Sequence, residues 1–175
     1  MDTARPARVI PAIRFATEAD LPGIVGIYNA SIPGRLATAD TDPVTLDERR
    51  PWFAGFNPER RPLWVAERNG ELSGWLGLRS FYGRPAYHRT VEVAVYVAPN
   101  DTRQGIGRAL LSHAIAESPS RGIATLLAFV FGHNGPSVAL FQQAGFSEWG
   151  RLPRVAELDH VERDLLILGR RLETP

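Results

Sequence analysis

Two glycines, Gly105 and Gly107, stand where a run of alternating residues gives way to a helical one. Before them Val91, Val93, Val95 and Val97 alternate with Glu92, Ala94 and Tyr96. That period of two in β-branched residues predicts a strand with one wholly apolar face. Pro99 ends it, because proline donates nothing to a strand ladder. Beyond the glycines, Ile106, Ala109, Leu110, His113 and Ala114 fall on one stripe of a helix predicted over Gln104 to about Glu117. A helix start carries unpaired N–H groups and the positive end of the backbone dipole, so it attracts an anion. Glycine there lets a pyrophosphate approach the backbone without meeting a Cβ. The chemistry this arrangement predicts is the binding of a phosphate-bearing cofactor.

Two familiar glycine-rich alternatives fail on their own residues. A nucleotide P-loop needs G-x-x-x-x-G-K-S/T, and the chain contains no lysine. A dinucleotide fingerprint needs a third glycine and an acid about 20 positions on. Here Gly105-x-Gly107 continues to Leu110, and the next apolar run, Ala124 to Phe131, ends in Gly132-His133 without an acid.

The hexapeptide Thr102-Arg103-Gln104-Gly105-Ile106-Gly107 resembles the Gln/Arg-x-x-Gly-x-Gly/Ala signature of the GNAT superfamily of acetyl-CoA-dependent N-acetyltransferases. Thr102 departs from the usual first residue. The resemblance is closest to the phosphinothricin and methionine sulfoximine acetyltransferase group. Two further blocks carry it: Arg84-x-Ala86-Tyr87 leading into Thr90-Val91-Glu92 and Val95-Tyr96-Val97, and Asn134-x-Pro136-Ser137-Val138 leading to Gly145-Phe146. Together they extend it from Ile13 to Leu168.

The resemblance implies acetyl-CoA as co-substrate, held by Val95, Tyr96, Val97, Arg103, Gln104, Gly105, Ile106, Gly107, Arg108 and Asn134. It implies transfer to the amine of a small amino acid or analogue by direct attack, in keeping with the absence of cysteine and of a Gly-x-Ser-x-Gly elbow. Glu92 is then the carboxylate that takes the amine proton; otherwise it is a half-exposed strand residue paired with an arginine. Arg79, Phe81, Arg84 and Tyr87, with His88 beside them, are placed around the acceptor, where an arginine can clamp a carboxylate bidentately. Tyr28-Asn29 and the loop from Ser31 to Asp40 are placed on the opposite wall. Phe141 stands where many family members have a thiolate-protonating tyrosine, so the thiolate leaves unprotonated or is served by Tyr96 or a water. Acetylation of peptide N-termini and a non-catalytic acyl-CoA-binding module are the rival readings. A homodimer is implied by resemblance.

The 175 residues suit one domain, 12–175, with a tail over 1–11. A net charge of +1 predicts no attraction to nucleic acid or membrane. The basic residues are all arginine, which removes any lysine base or Schiff base. The absence of cysteine predicts no disulfides and suits either redox compartment, and the absence of an apolar leader or spanning run predicts a cytoplasmic protein. His88, His113, His133 and His160 lack ligand spacing, so no metal is expected.

To position these residues the pattern predicts a strand at Ala12–Ala16, a helix from Thr17, and a second helix capped by Thr45 and Glu48 with Pro51 inside. Hairpin strands Leu63–Glu67 and Leu72–Ser80 follow around Asn69-Gly70. Beyond the glycine-led helix come a strand at Ile123–Val130 and a helix capped by Asn134 and stopped by Gly145. Last come strands at Phe146–Trp149 and Val155–Leu168. The class is α/β (α+β), with a mixed, mostly antiparallel central sheet flanked by helices, which matches the GNAT fold.

Overall fold

The computed structural model describes residues 10–172; the greater part of the expected N-terminal tail, residues 1–9, lies outside them. Seven strands form one sheet in the order β1-β2-β3-β4-β5-β7-β6. β1 (Ala12–Phe15), β2 (Leu63–Arg68), β3 (Glu71–Ser80) and β4 (Thr90–Val97) pair antiparallel in that order. Asn69 and Gly70, at φ +55° and +81°, supply the two left-handed positions that a tight β2–β3 turn requires. β4 reaches β5 (Thr125–Phe131) only through a helical crossover, so those two strands run parallel. β5 pairs antiparallel with β7 (Val161–Arg171), and β7 with the outer strand β6 (Ser147–Leu158).

The period of two divides the core between the two faces. Val91 and Val93 are buried beneath α3 (Ile106–Glu117) and α4 (Gly135–Gln143), with Trp64, Leu76, Leu78, Leu110 and Phe141. Ala94 and Tyr96 turn to the other face, where Trp75 and Val65 meet α1 (Leu21–Ser31) and α2 (Leu46–Ala54). Full burial of each such aliphatic or aromatic side chain contributes about 1.5–3 kcal/mol. The second helix carries the expected capping box: Thr45 accepts from the Glu48 N–H, and Glu48 accepts from the Thr45 N–H at 2.7 Å. On α3 the buried set is Ile106, Leu110, Leu111 and Ala114, with Ala109 and His113 half-buried at its edge.

The C-terminal strands differ from expectation. The run Val155–Leu168 is not one strand: the chain reverses at Asp159-His160, and Leu158 pairs with Val161. Both turn residues have positive φ, +51° and +63°. Neither residue is glycine, so the turn lacked the Asp-Gly pair that would have announced it. The expected break between Trp149 and Val155 is instead an irregularity within β6, where the register shifts between Leu152 and Ala156 around Pro153 and the positive-φ Arg154.

Candidate active site

The sheet splits at its centre. β4 pairs with β5 only over Thr90–Glu92 against Thr125–Leu127, after which β4 runs on to Val97 and β5 to Phe131 unpaired with each other. Two hydrogen bonds at the ends of the β3–β4 ladder, Phe81 N–H to the Thr90 carbonyl and Ala98 N–H to the Ser73 carbonyl, fix its phase. Alternation then directs the backbone groups of Glu92, Ala94 and Tyr96 to β3, and those of Val93, Val95 and Val97 into the split. A cleft fills it, bounded by Glu92–Tyr96 on one side, by Ala128–Val130 on the other, and by Asn134, Ser137 and Phe141 of α4 and its cap.

Glu92 enters this cleft half-buried at the last paired position. Burial raises its pKa above the ordinary carboxylate value, and the charge of Arg79, its cross-strand partner, pulls it back in part. No hydrogen bond to the carboxylate is found among the described residues. A carboxylate whose proton affinity is moved toward neutrality, with its lone pairs uncommitted, is suited to general base work.

At the other end of β4 a short turn, Pro99–Asp101, leads through Arg103 (φ +60°) and Gly105 (φ +87°) into α3. Holding arginine in the left-handed region costs about 1–2 kcal/mol, and side chains brace the turn against it. Thr102 Oγ1 donates to the Pro99 carbonyl at 3.1 Å and Gln104 Nε2 to the Asn100 carbonyl at 2.9 Å. Arg68 donates to Gln104 and pairs with Asp101 at 3.0 Å. Gly105 offers no side-chain cap, so the first N–H groups of α3 stay open to an anion. At Gly107 an added Cβ would stand 3.3 Å from Leu140 Cδ2, the end of a flexible side chain, and in ordinary contact at 3.5 Å with Val97 Cγ2, so α3 packs closely on α4 and β4 at this position. Arg108 reaches Gln143 at 2.8 Å beside a second pocket between the two helices.

A loop crosses the cleft from above. Three successive carbonyls, of Arg35, Leu36 and Ala37, accept from His133 Nε2 (2.7 Å), Asn134 Nδ2 (3.0 Å) and Tyr96 Oη (3.2 Å). They thus tie the β4 side to the β5–α4 side. Asn134 Oδ1 meanwhile caps α4 by accepting from the Ser137 N–H at 3.2 Å. The Tyr96 ring stacks on Trp75 at 4.6 Å and meets Tyr28 at 5.1 Å, and burial raises its pKa. Tyr28 donates to Asp40 and accepts from Thr38; Arg49 pairs with Asp40 at 3.2 Å and lies 4.3 Å over the Tyr28 ring. The loop expected as the opposite wall thus meets the cleft through backbone carbonyls, which carry no sequence signal, and through Ala37. Arg49, His133 and Ser137 join the site unanticipated, since their side chains reach it only through long-range packing.

The residues assigned to the acceptor divide. Arg79 faces Glu92 across the ladder. Phe81 stacks on the cleft-lining Phe129 with ring centroids 6.5 Å apart, and Tyr87 packs edge-on to Phe81 at 5.4 Å while remaining exposed. Arg84 is exposed, at the start of the turn Pro85–Tyr87, and does not line the cleft. Among the described residues no group of three or more histidines or acids is arranged to hold a metal.

Known proteins share this sequence and shape. The model of the Acetyltransferase (GNAT) family matches residues 25–146. A Bacillus subtilis (strain 168) protein provisionally named phosphinothricin acetyltransferase YwnH is 48% identical over 161 residues, covering 91% of this chain and 98% of that one. An L-methionine sulfoximine/L-methionine sulfone acetyltransferase of Pseudomonas paraeruginosa is 31% identical over 147 residues, covering 83% and 86%. The crystal structure of a phosphinothricin acetyltransferase from Sinorhizobium meliloti in complex with AcCoA superposes with a TM-score of 0.88 at 28% identity, covering 94% of this chain and 89% of that one.

Proposed function

The chain belongs to the GNAT acetyltransferase family, and from that premise we propose that it acetylates the amine of a small amino acid or analogue, of the phosphinothricin or methionine sulfoximine type, with acetyl-CoA as donor. One observation carries this reading: β4 leaves β5 directly after Glu92, so free backbone groups and a raised-pKa carboxylate line the same cleft. Bound acetyl-CoA supplies an acetyl group activated as a thioester. The open N–H groups at the start of α3, flanked by Arg103, Gln104 and Arg108, suit its phosphates. The cleft-facing N–H and C=O groups of Val93, Val95 and Val97 suit its amide-bearing arm and, at one N–H, polarise the acetyl carbonyl. Glu92 takes the proton from the attacking amine, directly or through one water. Attack on the acetyl carbon is direct in this reading, in keeping with the absence of cysteine and of a Gly-x-Ser-x-Gly elbow.

Arg79 and Arg84 are proposed to read the acceptor's carboxylate, Arg79 from beside Glu92 and Arg84 from the loop above. A homodimer and a cytoplasmic location belong to the same proposal. The first is supported by exposed apolar side chains on the outer hairpin, Trp149, Leu152, Val155 and Val161. Thiol release from acetyl-CoA against amino acids, phosphinothricin, methionine sulfoximine and N-terminal peptides tests the whole. Turnover of the amino acids is expected. Turnover confined to the peptides transfers the reading to N-terminal acetylation, and acetyl-CoA binding without turnover to a binding module. Arg84→Ala should raise KM for an amino acid about tenfold or more over its methyl ester, as loss of a charged hydrogen bond requires. Equal losses on both refute the clamp.

A further inference from the structure

We propose that Ser137 is a further catalytic residue, the hydrogen-bond donor to the thiolate that departs when the acetyl group moves; the inference rests on the acetyl-transfer reading above. Phe141, 2% exposed and one helical turn further along α4, offers the cleft a ring and no hydroxyl. The polar side chains on the cleft wall are Glu92, Tyr96, Asn134 and Ser137. Tyr96 spends its one proton on the Ala37 carbonyl. Asn134 is engaged at both ends of its amide, donating to the Leu36 carbonyl and accepting from the Ser137 N–H. Glu92 is the proton acceptor. The second N–H of Asn134 belongs to an amide already held at both ends, so the Ser137 hydroxyl is the one hydroxyl on the wall with no partner among the described residues and the one polar group there free to turn. The Asn134 cap fixes its backbone, and as the third residue of α4 it also stands at the end of the helix dipole that favours negative charge.

The bookkeeping of the step is simple. A C–N bond forms between the amine and the acetyl carbon, the C–S bond breaks, and its electron pair leaves on sulfur. The amine proton goes to Glu92. Ser137 keeps its own proton, because an aliphatic hydroxyl is a weaker acid than a thiol; it stabilises the thiolate by hydrogen bonding. A hydrogen bond to a charged group, made only as that charge develops, accelerates the step by about 10- to 100-fold.

The test couples turnover to binding. Ser137→Ala should lower kcat about 10- to 100-fold with KM for acetyl-CoA little changed, and Ser137→Thr should restore most of it. Phe141→Tyr supplies a competing hydroxyl, so Ser137→Ala made in that background should cost less than about threefold. Titrating the thiol of bound coenzyme A by its thiolate absorbance gives a readout independent of turnover. Its pKa should be about one to two units higher on Ser137→Ala than on the unaltered protein, the same fold-change in another form. Affinities for acetyl-CoA and desulfo-coenzyme A, which have no thiolate, should match between the two proteins. Turnover by the unaltered protein with no change in kcat or in the bound thiol pKa on Ser137→Ala overturns this proposal alone. An equal loss in both backgrounds also overturns it, as does an equal loss of affinity for desulfo-coenzyme A. Absence of turnover with every acceptor overturns the acetyl-transfer reading and this proposal with it.

Discussion

Replacing Glu92 with glutamine removes a proton acceptor and almost nothing else. The side chain keeps its length, and its carboxylate makes no hydrogen bond that the amide must replace. Two opposite effects follow. In catalysis, a positioned base contributes about 10²–10⁴-fold, so kcat at pH 7 with saturating acceptor should fall by that factor. The deficit should shrink as the pH nears the amine's own pKa, where solvent supplies free amine without help. In stability the sign reverses. Burial raises the folded pKa of Glu92, so the ionised carboxylate opposes folding above its ordinary titration range, and the neutral amide relieves that opposition. Glu92→Gln should therefore melt at the same temperature as the parent or higher, the pattern of a residue kept for activity at the expense of stability. Arg79 supplies a second handle, since its charge holds the Glu92 pKa down. In Arg79→Met the carboxyl should keep its proton to higher pH, moving the acidic limb of the kcat profile upward. Initial-rate profiles from about pH 5 to 10 and calorimetric melts measure all of this. If Glu92→Gln keeps kcat within about threefold at pH 7, or melts well below the parent, the carboxylate is structural and the base lies elsewhere.

Gly107→Val should abolish measurable acetyl-CoA binding by calorimetry, and contact with Leu140 and Val97 should lower the melting temperature as well. Adding Leu140→Ala should recover stability without affinity; recovery of both would make Gly107 a packing residue only. The Arg14 guanidinium, with hydrogen bonds of 2.7 and 2.8 Å, holds the Asp20 pKa at about 2 against an ordinary 3.8. The stability this contributes, about 2 kcal/mol, is fully present above that ordinary value and is lost as the pH falls through the folded one. Asp20→Asn should thus cost about 2 kcal/mol or more in denaturant unfolding at pH 7, with the gap to the parent closing below about pH 4. A gap independent of pH would refute the ion pair's role.

Much of the scaffold was legible because it obeys short-range rules. The valines of β4 declare their face by period, Gly105 and Gly107 mark the change from strand to helix, and Asn134 and Thr45 cap the helices they precede. The site was legible in part for a different reason: Glu92 and the glycine-led turn sit at the two ends of one strand and are read together. What the sequence hides is decided at long range. Nothing in Val93–Val97 says that β5 will turn away from it, and the Arg35–Ala37 carbonyls act through backbone atoms common to every residue. The Asp159-His160 reversal was missed because it lacks the glycine that signals a two-residue turn. The exposure of Arg84 likewise depends on how the Phe81–Arg89 loop lies, which its composition leaves open.

The split between β4 and β5 bears on how long the molecule lasts as well as on what it does. A sheet interrupted at its centre leaves the outward N–H and C=O groups of Val93, Val95 and Val97 without strand partners, so the backbone ladder between its two halves is confined to Thr90–Glu92, backed by the shared core and the overlying loop. A ligand that pairs those groups serves as the missing piece of the ladder, and it binds the folded chain and not the unfolded one. By mass action the donor thus adds stability, about 2.7 kcal/mol at a hundred times its Kd. The supply of acyl donor becomes a determinant of the folded population: a well-charged donor pool protects the protein from unfolding and proteolysis, and a depleted one exposes it.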